Sequence, residues 1–167
     1  MWMKMQEYEN SVNLENFIDL YKKSIKTASF KILNKNEIPG AVYIALYPSN
    51  NSEVKFEYKA LAPNFKLINL LKKKLISEER FLVLYNEQLS ELDPKNVLEH
   101  LNFITGNFEP VMMCHCGKTK FCHRHIAAQW LEDNLGIRII EHEVPYFERK
   151  NGYLVKKKAP SLFNIKD

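Results

Sequence analysis

Two hydrophobic periods alternate along this chain, and they predict its elements. Helical spacing comes first: Leu14, Phe17, Ile18, Tyr21 and Ile25 follow a capping Asn13, which predicts a helix to about Lys26. After the Pro39-Gly40 turn, Ala41 to Tyr47 (AVYIALY) is an unbroken apolar run, the pattern of a strand covered on both faces. Ser52 to Tyr58 alternates weakly and reads as an edge strand or a long loop. Helical spacing then returns three times. Phe65, Leu67, Ile68, Leu71 and Leu75 follow Pro63. Phe81, Leu82, Leu84, Tyr85 and Leu89 follow a capping Ser77. Val97, Leu98, Leu101 and Ile104 follow Asp93-Pro94, an acidic cap with proline at the first helical position, and stop at Gly106.

The last third of the chain changes rhythm. A strand is predicted from about Val111 to Cys114, a helix from about His123 to Leu135, and a strand over Ile137 to Glu143 (IRIIEHE). Gly136 suits a left-handed helix stop. Asn151-Gly152 between Tyr146-Phe147 and Tyr153-Leu154-Val155 signals a two-residue hairpin. The strand–helix–strand order implies a right-handed βαβ crossover. The whole order predicts a compact three-layer α/β domain with a small, mainly parallel sheet. One domain is expected over residues 1–167, with a core at about 13–145 and a hairpin and tail at 146–167. Ligands of such sheets bind at the carboxyl ends of strands, so the loops after Tyr47 and Cys114 should share one edge.

Composition adds little beyond exclusions. An apolar fraction of 46% and a charged fraction of 26% describe an ordinary globular chain. A net charge of +4 is compatible with a small anionic partner. There is no basic arm, so nucleic acid is a minor reading. Lys72, Lys73 and Lys74 read as a solvated helix end. No apolar run is long enough to span a bilayer, and the N-terminus does not resemble a signal peptide. All three cysteines (Cys114, Cys116 and Cys122) fall in one loop, which argues against a disulfide framework and for a reducing cytoplasm.

That loop concentrates the candidate chemistry, and three readings of it are open. In the first, Gly117, Lys118, Thr119 and Lys120 lead from a strand to a helix N-terminus, where backbone N–H groups, lysines and Arg124 could bind a phosphate or carboxylate. A nucleotide triphosphatase loop is ruled out, because Met112 stands where its first glycine belongs. In the second, Cys122 is a nucleophile at the helix start beside His123, a candidate acid/base, and Arg124. Neither a Cys-x5-Arg phosphatase motif nor a Cys-x-x-Cys redox pair is present. In the third, Cys114, Cys116, Cys122 and His125 hold zinc, with a spacing that matches no usual finger. His100, His142, Glu141 and Glu143 read as ordinary surface or element residues.

The combination of Leu61-Ala62-Pro63, Leu92-Asp93-Pro94, and VMMC followed by FCHRHIAAQWL resembles the bacterial and phage family called domain of unknown function 488. The resemblance spans roughly Leu20 to Glu143, and its specific part is the Cys…Cys-His-Arg piece. It implies a Rossmann-like α/β domain with Cys114, Cys122, His123 and Arg124 as family positions, and it names no reaction. The chain departs from the pattern twice. Cys116 stands where the family often has glutamate, and the apolar Ala45-Leu46-Tyr47 precedes Pro48 where polar residues are common. The leading expectation is a domain that binds a phosphate-bearing or nucleotide-like ligand at loop 114–124, with cysteine-based catalysis at Cys122. The alternative is a non-catalytic binding protein whose loop coordinates zinc or meets a partner.

Overall fold

The computed structural model of the chain describes residues 24–33, 37–47 and 54–159. Five parallel strands form one sheet in the order β3-β2-β4-β1-β5: β1 (Lys26–Ser29), β2 (Ala41–Tyr43), β3 (Phe56–Glu57), β4 (Val111–Cys114) and β5 (Ile140–Glu141). Four helices accompany them: α1 (Phe65–Lys72), α2 (Glu78–Ser90), α3 (Pro94–Thr105) and α4 (His123–Leu135). A hairpin of β6 (Phe147–Lys150) and β7 (Tyr153–Lys156) closes the described chain. This is the three-layer α/β arrangement with a parallel sheet that the hydrophobic pattern predicts, and it is Rossmann-like, as the family resemblance implies. No helix among the described residues is long and apolar enough to cross a membrane.

Strand alternation divides the core in two. Val42, Ile44 and Met112 point to one face, where Leu67, Phe81, Tyr85, Leu101, Ile126 and Leu131 of the four helices pack on them. Ala41, Tyr43, Val111 and Met113 point to the other, against Ala28 and Phe30. The helix ends follow local chemistry. Ser77 and Asp93 accept the N–H groups of Arg80 and Asn96 at 3.2 and 2.9 Å, and Gly136 stops α4 at φ 65°.

Two expectations change. Lys26, where a helix was expected to end, begins β1, and the body of that expected helix lies outside the described residues. β1 reads KTAS and carries no apolar alternation, because two of its buried side chains are hydroxyls that find polar partners. The run from Ala41 contributes only three strand residues; Ala45 to Tyr47 bend away, and the carbonyls of Ala45 and Leu46 accept Lys59 Nζ at 3.2 and 3.1 Å. The expected strand–helix–strand unit is present, with β4 and β5 parallel in one sheet and one strand between them. β1 lies between them, pairing Ser29 with Cys114 on one side and Thr27 with Glu141 on the other.

The hairpin is tied to the domain at its turn. Asn151 (φ 50°) and Gly152 (φ 81°) take the two positive dihedrals of a primed turn. The Gly152 carbonyl then accepts the Cys122 N–H at 2.9 Å. A Cβ on Gly152 would fall 2.6 Å from the Phe121 ring. Gly152→Ala is therefore expected to cost about 2 kcal/mol by overpacking, read as a lower urea midpoint. An unchanged midpoint would mean the hairpin is not docked on Phe121.

Candidate functional site

The cysteine loop sits at the carboxyl edge of the sheet, at its central strand. β4 delivers Cys114 there fully buried. Eight residues later Cys122 caps α4, its Sγ accepting the Arg124 N–H at 3.4 Å. Cys116 lies between them in the loop, half-buried. All three are free thiols, and their sulfurs lie within 4.8 Å of one another. Cys114 Sγ and Cys122 Sγ are 2.8 Å apart.

Arg124 organises this cluster from beneath. Its side chain is fully buried, and its guanidinium turns back under the loop. Nη1 donates to Cys114 Sγ (3.2 Å), Cys122 Sγ (3.5 Å) and the Cys116 carbonyl (3.0 Å). Nη2 donates to the Gly117 and Lys118 carbonyls at 3.3 and 3.4 Å. The remaining edge meets Glu141: Nη2 to Oε1 at 2.9 Å and Nε to Oε2 at 3.3 Å. Glu141 is itself fully buried and accepts Thr27 Oγ1 at 2.7 Å, and Arg149 Nη2 donates to the same hydroxyl at 2.7 Å. A buried charge of this kind persists only when paired and hydrogen-bonded.

Glu141, expected as a solvated charge, is thus a buried counter-ion. Its signal was in the sequence: Ile137, Ile139 and Glu141 share one face of the predicted strand. Arg124, expected to meet an anion, has every edge of its guanidinium hydrogen-bonded within the protein. The anion cradle is similarly altered. The Gly117 and Lys118 carbonyls face Arg124, and Lys118 Nζ pairs with Glu143 Oε2 at 2.7 Å. Thr119 and Lys120 are exposed.

The three thiols are electrostatically unequal. Hydrogen bonds from Cys114, then Cys122, hold the Cys116 thiol down to about 3, with the Arg124 charge assisting against burial. Burial, then the same hydrogen bonds, pushes Cys122 up. These directions place negative charge more readily on the partly exposed Cys116 than on Cys122, the nucleophile expected from the sequence. Cys116 was expected only as a zinc ligand and at the family's glutamate position, because spacing does not encode burial.

The histidines separate by face. His123 Nε2 lies 2.9 Å from the Ile44 carbonyl, and desolvation lowers its pKa. His125 points away from the sulfurs: its Nε2 lies 2.9 Å from the Lys118 carbonyl and its buried Nδ1 has no hydrogen-bond partner, so it does not join the metal candidates. His115, outside the expected site, joins the two edge loops, with Nε2 3.3 Å from the Tyr47 carbonyl and its ring against Phe30.

Burial, then the Arg124 and Arg149 charges, lowers the pKa of His125 to about 3. The unfolded chain protonates this histidine near pH 6.5, and the folded one does not until about pH 3. Between those values the unfolded state binds the extra proton, so stability falls as pH falls, by about 1.4 kcal/mol per unit at most. His125→Gln is expected to reduce the slope by that amount in urea titrations from pH 7 to pH 4, leaving the contribution of Cys116 in place. An unchanged slope would place the acid sensitivity elsewhere.

The sulfur cluster could hold a metal ion. Tetrahedral zinc with bonds of about 2.3 Å sets its sulfurs about 3.8 Å apart, so Cys114 and Cys122 would have to separate from 2.8 Å. Arg124 also donates to those same two sulfurs. A metal ion there would require these two sulfurs to move apart and to exchange their contact with Arg124 for the ion.

Comparison with the curated proteins and with the solved structures found no match. Residues 18–135 match the family model described as the active DUF488-N3 subclade, DUF488-N3a. The matched span includes β4, the whole cysteine loop and α4, and it stops before Glu141 and the hairpin. With more than two thirds of its 167 residues in that match, the chain belongs to the DUF488 family.

Proposed function

We propose that this protein is a cysteine-dependent enzyme whose attacking group is the Cys116 thiolate. The observation that carries the reading is that the Cys116 sulfur, the partly exposed one of the three, lies within 4.8 Å of Cys114 and Cys122, to both of which Arg124 donates. A thiolate is the nucleophilic form of cysteine, and an electropositive, partly open setting is where it acts. Exposed Thr119 and Lys120 on the loop rim support an anionic substrate, a phosphate-bearing or nucleotide-like molecule among them. The word "active" in the matched model's description favours an enzymatic reading.

The test is alkylation of the full-length reduced chain with iodoacetamide at pH 7, followed by peptide mapping. Cys116 is expected to label first and fast. Labelling of Cys114 or Cys122 ahead of it, or an ordinary thiol rate at Cys116, overturns the reading.

The same three sulfurs support a second reading, a non-catalytic binding protein that holds zinc. It expects about one zinc per chain in protein purified without chelator, lost in Cys114→Ser. Metal analysis that finds none removes it.

A further inference from the structure

The two sulfurs that stand closest are the two that cannot meet a substrate. Cys114 and Cys122 are 0% and 2% exposed and 2.8 Å apart. A disulfide bond is about 2.05 Å long, so they need to approach by less than an ångström to join. Arg124 Nη1 donates to both, which stabilises whichever one carries negative charge. Cys116 is within 4.8 Å of each and alone reaches the surface. Accessibility and proximity are thus divided between different thiols of one cluster.

We propose that Cys114 and Cys122 are a buried dithiol that reduces a small-molecule disulfide captured by Cys116. This deepens the thiolate reading and rests on it. Cys116 attacks one sulfur of the substrate, forms a mixed disulfide and releases the first substrate thiolate, which ends with the proton of Cys122. Cys122 then attacks Cys116 Sγ, forms the Cys116–Cys122 bond and releases the second substrate thiolate, which ends with the proton of Cys114. Cys114 attacks Cys122 Sγ and expels Cys116, restoring the thiolate. The best-stabilised thiolate is the best leaving group, which drives this last exchange. One substrate disulfide is reduced to two thiols, and one Cys114–Cys122 disulfide forms per chain.

The probe is 5,5′-dithiobis-(2-nitrobenzoate), mixed in one equivalent with reduced, desalted full-length protein and stopped with acid. The expected result is release of two equivalents of coloured thiolate, with peptide mapping that finds Cys114 joined to Cys122 and Cys116 free. Cys114→Ser should still release two equivalents but stop with Cys116 joined to Cys122. Cys116→Ser should slow release by more than about tenfold. Release of one equivalent with the aryl group retained on Cys116 overturns the dithiol while leaving the Cys116 thiolate intact. Wild-type rates in Cys116→Ser overturn the relay. An unreactive Cys116 in the native chain removes the thiolate reading beneath it.

Discussion

Glu141→Ala is expected to destabilise the protein by about 3–5 kcal/mol, the range for stripping one partner from a buried ion pair. Arg124 and Glu141 are both fully buried, and the truncation would leave the guanidinium without its only carboxylate among the described residues. The loss also reaches Thr27, whose hydroxyl donates to Glu141 while accepting from Arg149. Urea unfolding of the variant measures the effect. A control separates the ion pair from the space it fills. Glu141→Leu combined with Arg124→Met removes both charges, and such replacements are often near neutral in stability. The double variant should therefore be more stable than Glu141→Ala while leaving Cys114 and Cys122 without their charged donor. A loss below about 1 kcal/mol in Glu141→Ala would show that water reaches Arg124 and that the pair behaves as a surface contact.

The second large effect is in the pH profile of Cys116. An ordinary thiol with a pKa near 8.5 loses thiolate roughly a thousandfold between pH 8 and pH 5. With its thiol held down to about 3, Cys116 should alkylate at nearly constant rate across that interval. Stability follows with a defined sign. The folded pKa lies below the unfolded one, so the contribution is complete above about pH 8.5. It is lost as pH falls towards the folded value, because the unfolded chain takes up a proton that the folded chain refuses. Cys114→Ala removes the neighbouring thiol that contributes most to holding Cys116 down and should restore a sloping profile. A wild-type profile that already follows an ordinary thiol would show that the cluster does not stabilise the thiolate.

Much of the architecture was legible from period and punctuation. α2, α3 and α4 lie where their caps and apolar stripes placed them, because a short-range pattern suffices to specify an amphipathic helix. β4 was legible as an apolar run, and the hairpin as Asn-Gly between β-formers. The resemblance carried by the Cys…Cys-His-Arg piece agrees with the family match.

What stayed hidden depended on partners far apart in the chain. KTAS becomes a central strand because the Thr27 hydroxyl meets Glu141, 114 residues away. Glu141 is buried because Arg124 is there to neutralise it. By itself the sequence determined the helices, the strand that ends in Cys114 and the clustering of three cysteines in one loop. Tertiary structure alone decided which cysteine is open, which two are buried together, and that the Arg124 guanidinium is hydrogen-bonded to the loop and to Glu141. The reason is physical: hydrogen-bond partners and desolvation are properties of the packed neighbourhood, and spacing along a chain does not encode them.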